Sequence, residues 1–246
     1  MKKVVITRAR AQTDEFADKL RAAGFAPIYF PVIEIQPIEN NTALERAISK
    51  LSCYEWIVFT STNAVEVVLD QFPTAGWHDV KTAAIGPKTA ETLKSRGIEP
   101  NFVPQEYIAE AILPGLGDLI GKWILLPRAE IARKELPEAI SNAGGIAHEI
   151  TAYKTISAEP DIKELETLRA GVDIVTFTSA STVENFVAIA RQNNLDPINL
   201  PNNPVFACIG PITQQAAKDA GLRKVVVAKE YTTDGLLEAI KTLEVL

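Results

Sequence analysis

The sequence predicts an α/β fold of two similar lobes, each a parallel sheet flanked by helices, and two observations predict it. Apolar runs of strand length alternate with amphipathic helical stretches from one end of the chain to the other, as βα units in a parallel sheet require. The chain also repeats itself: "VVITRARAQTDEFADKL" returns as "WILLPRAEIARKELPEAI", "WIVFTSTNAVEVVL" as "DIVTFTSASTVENFV", and "AAIGPKTAETLKSRG" as "ACIGPITQQAAKDAG". The separation is nearly constant: Arg8 to Arg128 is 128 − 8 = 120, Ser61 to Ser179 is 179 − 61 = 118, Gly86 to Gly210 is 210 − 86 = 124, and Tyr107 to Tyr231 is 231 − 107 = 124. Drift of this size is what loop insertions produce. A period this long makes each copy a domain with its own core rather than one turn of a solenoid.

Taken in order, strands are expected at Val4 to Thr7, Pro27 to Pro31, Trp56 to Thr60, Thr82 to Ile85, Asn101 to Val103, Trp123 to Leu126, Ala147 to Tyr153, Ile174 to Thr178, Val205 to Ile209 and Lys224 to Val227. Helices fill the gaps. From Thr13 to Ala23, Phe16, Ala17, Leu20 and Ala23 fall at helical spacing, and Gly24 tolerates the left-handed cap that stops the helix. The counterpart ends at Gly144-Gly145. Helices after the two "IGP" segments open with Pro87 and Pro211, whose missing N–H is harmless in a first turn, and close at Gly97 and Gly221.

Two longer extended runs, "IYFPVIEIQPI" and "AHEITAYKTIS", stand at matching places, each after the first βα unit of its copy. Both exceed the usual strand of about 5–6 residues. If the copies split sequentially near Gly117 to Gly121, the runs are internal strands. If the copies exchange their first βα units, both runs become crossovers between lobes, and their length favours this. The expected boundaries are then 1–35 with 157–246 for one lobe, 39–149 for the other, and 36–38 with 150–156 as hinge strands.

With 47 % hydrophobic residues, mean hydropathy +0.06 and no apolar run near the ~20 residues of a membrane span, the composition is that of a soluble globular protein. "MKKVVITRAR" becomes charged again before a secretory core could form, so the mature chain is expected to begin at Met1 and to work in the cytoplasm. Cys53 and Cys208, each in or beside an expected buried strand, read as reduced core thiols. A net charge of −6 argues against general binding of nucleic acid or anionic membranes, which relies on basic surface.

Open parallel sheets bind ligands at the carboxyl ends of their strands, where following helices offer free N–H groups and positive dipole ends. Here "FTSTN" supplies Thr60, Ser61, Thr62 and Asn63, "FTSAST" supplies Thr178, Ser179, Ser181 and Thr182, and the "IGP" turns supply Gly86 with Thr89 and Gly210 with Thr213. Singly, each is a helix cap. As a pattern duplicated in two lobes and facing one cleft, they suit a ligand bearing carboxylates or phosphates. Arg8 and Arg128 follow strands at equivalent points and read equally as surface or ligand-facing charges. Of the four arginines to weigh, Arg8, Arg10, Arg128 and Arg133, the last is placed early in a helix against the dipole preference, which invites an anion. Tyr153, near the end of a crossover run, is either a packed hinge aromatic or a phenol facing the cleft.

Several chemistries lack their residues. The chain contains no GxGxxG after the first strand, no GxxxxGK[ST], no CxxC, HExxH or GxSxG, and its two histidines, His78 and His148, have no ligand partners at metal spacing. Dinucleotide, Walker-type, metal and serine-hydrolase chemistry are not expected.

The ordered set "ITRARAQ", "IVFTSTNAV", "ILLPRAEIARKELPEAI", "EITAYKT", "FTSASTVENF", "ACIGPITQQAAKDAG" and "YTTDGLLEAI" resembles the uroporphyrinogen-III synthase family over essentially the whole chain. The resemblance implies two flavodoxin-like α/β lobes joined by a two-stranded β hinge, the first made from both chain ends. It implies cofactor-free, metal-free closure of linear hydroxymethylbilane to uroporphyrinogen III, with inversion of the terminal pyrrole and loss of water. Carried over by resemblance, Tyr153 is the catalytic proton donor, and Arg8, Ser61, Thr62, Asn63, Gly86, Thr89, Arg128, Arg133, Ser179, Gly210 and Thr213 bind substrate. A linear tetrapyrrole with eight carboxylates would be the small-molecule partner of a monomer that makes at most a transient contact with the preceding pathway enzyme. Pro127 and Ala129 stand where the family commonly has a more glycine-rich turn, and Ile212 where some members have a second hydroxyl. The competing readings are a cytosolic two-lobed anion-binding module without catalysis and a doubly wound transferase for a phosphorylated sugar.

Overall fold

A computed structural model describes residues 1–10, 13–73, 76–106 and 110–244. Tyr107, one of the repeat markers, lies outside them. The chain divides into two compact units, Met1–Glu34 with Ile156–Leu246, and Ile35–Thr155.

In the first unit, β1 (Lys3–Ile6), β2 (Ala26–Tyr29), β8 (Ile174–Phe177), β9 (Val205–Cys208) and β10 (Val225–Val227) form a parallel sheet in the order β10-β9-β8-β1-β2. Counted along the unit this is 2-1-3-4-5, the flavodoxin-like order. Side chains alternate between its faces. Val5, Val175, Phe177, Phe206 and Cys208 meet Leu165 and Leu168 of α7 (Ile162–Arg169), Val183 and Phe186 of α8 (Ala180–Gln192) and Ala217 of α9 (Pro211–Asp219). Val4, Ile6, Ile174 and Ala207 meet Phe16 and Leu20 of α1 (Asp14–Ala22) and Leu236, Leu237 and Ile240 of α10 (Thr233–Lys241). Because helices cover both faces, the strands read as unbroken apolar runs in the sequence.

The second unit holds a sheet ordered β3-β7-β6-β4-β5, from β3 (Ile33–Pro37), β4 (Trp56–Phe59), β5 (Lys81–Ala84), β6 (Trp123–Ala129) and β7 (Ile146–Ser157). The strands β7, β6, β4 and β5 are mutually parallel and stand in the relation of β2, β1, β8 and β9. One face packs on α2 (Thr42–Ile48), α3 (Thr62–Gln71) and α4 (Pro87–Ser95) through Leu44, Val65, Val68 and Leu93; the other packs on α5 (Leu113–Leu116) and α6 (Glu135–Asn142) through Leu116, Leu136 and Ile140.

Four expectations need correction. The strand foreseen at Asn101 to Val103 is reduced to one bridge, Ala83 to Phe102, in the place β10 holds in the other unit. The first extended run breaks into β2 and β3, and Pro31, which has no N–H to give a ladder, sits in the break. Its counterpart, lacking proline, continues as the twelve-residue β7. Cys53 is exposed in a 3₁₀ turn, Leu51–Cys53, rather than buried; only Cys208 is a core thiol. Arg133 precedes α6 and is exposed, so the unfavourable helix position disappears.

Candidate active site

A doubly wound sheet has a topological switch point where the chain leaves neighbouring strands in opposite directions, and the crevice there receives ligands. In the second unit the switch lies between β4 and β6. Just beyond β4, Ser61 adopts an extended backbone (φ −155°, ψ 153°) and caps α3, its Oγ accepting from Ala64 N–H at 3.2 Å. Thr62 and Asn63 form the first turn, half-buried. On the adjacent strand, Ile85 N–H donates to Phe59 O at 2.9 Å, which sets the turn after β5 beside the turn after β4. That next turn is Gly86, at φ 91°, a conformation side-chain-bearing residues rarely adopt, and it starts α4 with Pro87 and a buried Thr89.

Tyr153 joins this edge from β7. It is 5 % exposed, and its hydroxyl lies 3.0 Å from Ser61 Oγ, across 92 positions of sequence. Its placement comes from a bulge: β6 and β7 pair one-to-one as far as Arg128 with Thr151, then Ala129 pairs with Tyr153. Glu130 N–H donates to Tyr153 O at 2.9 Å and fixes the backbone on the far side of that shift.

Arg128, in the same bulged stretch, is 6 % exposed. One guanidinium N–H donates to Glu149 Oε2 at 2.6 Å and another to the Arg133 carbonyl, while Nε is buried without a partner. Lys134 Nζ stands 3.2 Å from Glu149 Oε1. These contacts make Arg128 a brace between β6, β7 and the segment leading into α6, whereas the exposed Arg133 side chain projects from that segment.

In the first unit the switch lies between β1 and β8. Buried Thr7 and Thr176 lock the two strands, Thr7 Oγ1 donating to Thr176 O at 2.6 Å and Thr176 Oγ1 to Val5 O at 2.8 Å. Arg8 follows directly, half-buried, and burial draws its guanidinium below the usual range while the charge of Glu15 opposes this. Arg10 pairs with Glu164, whose carboxyl is pushed up by burial against the opposing bond from the Asp161 backbone and the Arg10 charge. Ser179 caps α8 by accepting from Thr182 N–H at 3.2 Å, and its Oγ lies 2.9 Å from Ser181 Oγ. Gly210 caps α9 in extended backbone (φ −164°), so no positive φ demands glycine there; a Cβ would lie 3.5 Å from the Tyr231 ring. Thr213 is buried in the same helix.

The residues expected to bind thus stand at strand carboxyl ends as two sets: Ser61, Thr62, Asn63, Gly86, Thr89, Arg128, Arg133 and Tyr153 in the second unit, and Arg8, Ser179, Gly210 and Thr213 in the first. Sequence reasoning missed Glu149 as the partner of Arg128, and the Thr7–Thr176 lock. The signal for Glu149 was its place in a strand that follows β6 by one βα turn. A cavity of about 540 Å³, lined by Glu55, Trp77, His78, Lys81 and Asn101, lies at the opposite, amino edge of the second sheet. Among the described residues no cluster of His, Cys, Asp or Glu is set to hold a metal ion, and no helix is long and apolar enough to cross a membrane.

The family model for uroporphyrinogen-III synthase HemD matches residues 14–238. The chain belongs to the uroporphyrinogen-III synthase family. It is 34 % identical over 249 residues to a uroporphyrinogen-III synthase of Synechococcus elongatus, covering 98 % of this chain and 94 % of that one. Against a putative uroporphyrinogen-III synthase of Methanocaldococcus jannaschii it is 35 % identical over 254 residues, covering 98 % and 99 %. Among solved structures, uroporphyrinogen-III synthetase from Helicobacter pylori superposes with TM-score 0.66 at 19 % identity, covering 99 % of this chain and 100 % of that one, and a mutant Thermus thermophilus uroporphyrinogen III synthase with TM-score 0.58, also at 19 %, covering 100 % of both. At that identity the structural likeness speaks for the synthase fold of two helix-flanked parallel sheets.

Proposed function

We propose that this member of the uroporphyrinogen-III synthase family closes linear hydroxymethylbilane to uroporphyrinogen III, inverting the terminal pyrrole and releasing water, with Tyr153 as the proton donor. The observation that carries the proposal is the buried phenol of Tyr153, hydrogen-bonded at the carboxyl edge of the second sheet beside the switch point. A phenol carries a hydroxyl proton that it can hand to a departing group as a general acid. The substrate's hydroxyl departs readily to give an azafulvene, so little covalent catalysis is asked of the protein. Most of the task is geometric: the chain must be held so that the terminal pyrrole is attacked at its substituted carbon, through a spiro intermediate, before spontaneous closure gives the uninverted isomer.

Eight carboxylates need donors. The amides and hydroxyls at the starts of α3, α4, α8 and α9 supply them, through Thr62, Asn63, Gly86 and Thr89 in one unit and Ser179, Gly210 and Thr213 in the other, with Arg8 and Arg133 as the cationic contacts. The lobes of the proposal are 1–35 with 157–246, and 39–149, with 36–38 and 150–156 acting as hinge strands. The test is to supply enzymatically generated hydroxymethylbilane, oxidise the products and separate the porphyrin isomers. Enrichment of type III supports the proposal; type I alone overturns it, and leaves a binding module without catalysis.

A further inference from the structure

The bond between Ser61 and Tyr153 can run in either direction, since both ends are hydroxyls. Its direction decides where the phenolic proton points. A hydroxyl has one proton and two acceptor lone pairs. One lone pair of Ser61 Oγ is committed to Ala64 N–H, at the start of a ten-residue helix whose first-turn amides and positive dipole end draw electron density from that oxygen. A hydroxyl that accepts a hydrogen bond becomes a better donor, because bonds in series polarise one another. Among the described residues, Tyr153 Oη, 3.0 Å away, is the side-chain oxygen placed to receive the Ser61 proton.

We propose that Ser61 is a positioning residue that acts through Tyr153: it donates to the phenolic oxygen, turns the phenolic proton outward, and stabilises the charge left when that proton departs. This rests on Tyr153 being the proton donor. In the step served, the substrate C–O bond breaks, the phenolic proton leaves with the oxygen as water, and the phenolate is held by the relay Ala64 N–H to Ser61 O–H to Tyr153 O. The proton lost when the macrocycle closes at a pyrrole carbon restores the phenol, so the cycle balances.

The molecule contains its own control. Ser179 caps α8 with the same extended backbone (φ −162°, ψ 163°) and the same 3.2 Å bond to the third residue of its helix. Its partner is a neighbouring serine, and the position equivalent to Tyr153 is 153 − 120 = 33, an isoleucine at the start of β3. A cap serine in this fold therefore needs no phenol. The pairing exists in one copy of the repeat only, which is what a specialised catalytic copy predicts and a shared capping requirement does not.

The test compares Ser61→Gly and Ser61→Thr, each alone and combined with Tyr153→Phe, by steady-state turnover of hydroxymethylbilane, with circular dichroism to verify folding. Glycine is tolerated at an N-cap but has no proton to give; threonine keeps both functions. The expected result is a kcat about tenfold lower for Ser61→Gly with KM unchanged, restoration by threonine, and no further loss when Ser61→Gly is added to Tyr153→Phe. Equal losses in both backgrounds, or a raised KM with unchanged kcat, would show Ser61 to be a structural cap or a direct substrate contact and overturn the inference while leaving Tyr153 as the acid. A fully active Tyr153→Phe would overturn both.

Discussion

Replacing Glu149 by glutamine removes the counter-charge of a guanidinium that is 6 % exposed, at almost constant side-chain size. Arg128 would keep its bond to the Arg133 carbonyl, but Nε is already unpartnered and the Lys134 ammonium would stand near an uncompensated like charge. Breaking a fully buried pair by removing one partner costs roughly 3–5 kcal/mol. The Glu149 side chain is 32 % exposed, so solvent relieves part of the loss and about 2 kcal/mol is the expected cost. For a chain of this length that lowers the melting temperature by roughly 4–8 °C. Thermal unfolding followed by tryptophan fluorescence isolates the effect, because Trp56, Trp77 and Trp123, the chain's three tryptophans, all belong to the unit that holds Arg128. Adding Arg128→Met should recover much of the loss, since an apolar side chain needs no counter-charge. A parent-like melting curve for Glu149→Gln, or a double variant less stable than either single one, would refute the brace.

Phe186 is fully buried against Phe30, Phe177 and Phe206 in the first unit, and Phe186→Ala should cost roughly 3–5 kcal/mol by urea unfolding; a loss under half of that would mean the site collapses around the cavity. Burial raises the Glu164 carboxyl above its unfolded value, so the folded state holds its proton to higher pH, and stability falls as pH rises from the unfolded pKa through the raised folded one. Glu164→Gln removes this slope, and its stability relative to the parent should improve as the pH rises through and above the ordinary carboxylate value of 4.5; a pH-independent difference would contradict the shift. Cys208, buried and pushed up to about 12, should resist a thiol reagent that labels exposed Cys53, so the native chain should titrate one thiol and the denatured chain two.

Strands buried on both faces were legible in the sequence as apolar runs, and the duplication located the strand ends where Ser61, Ser179, Gly86 and Gly210 stand. Lost to it was whatever depends on register. The Ser61–Tyr153 bond spans 92 residues and needs the bulge after Arg128, and no local pattern announces a bulge. Glu149 escaped notice for the same reason, since its bond to Arg128 is set by how β7 lies against β6. The false strand at Asn101 to Val103 had β propensity but only a single bridge to hold it. Cys53 was misplaced because the turn Leu51–Cys53 separates it from β4, which begins at Trp56.

The most direct measurement is the rate at which Tyr153→Phe consumes hydroxymethylbilane under saturating substrate, beside the parent and with circular dichroism on both. A lost general acid predicts a fall on the order of 10²-fold with the fold intact. Equal rates and equal yields of the type III isomer would contradict the assignment of Tyr153 and reduce it to a packing residue.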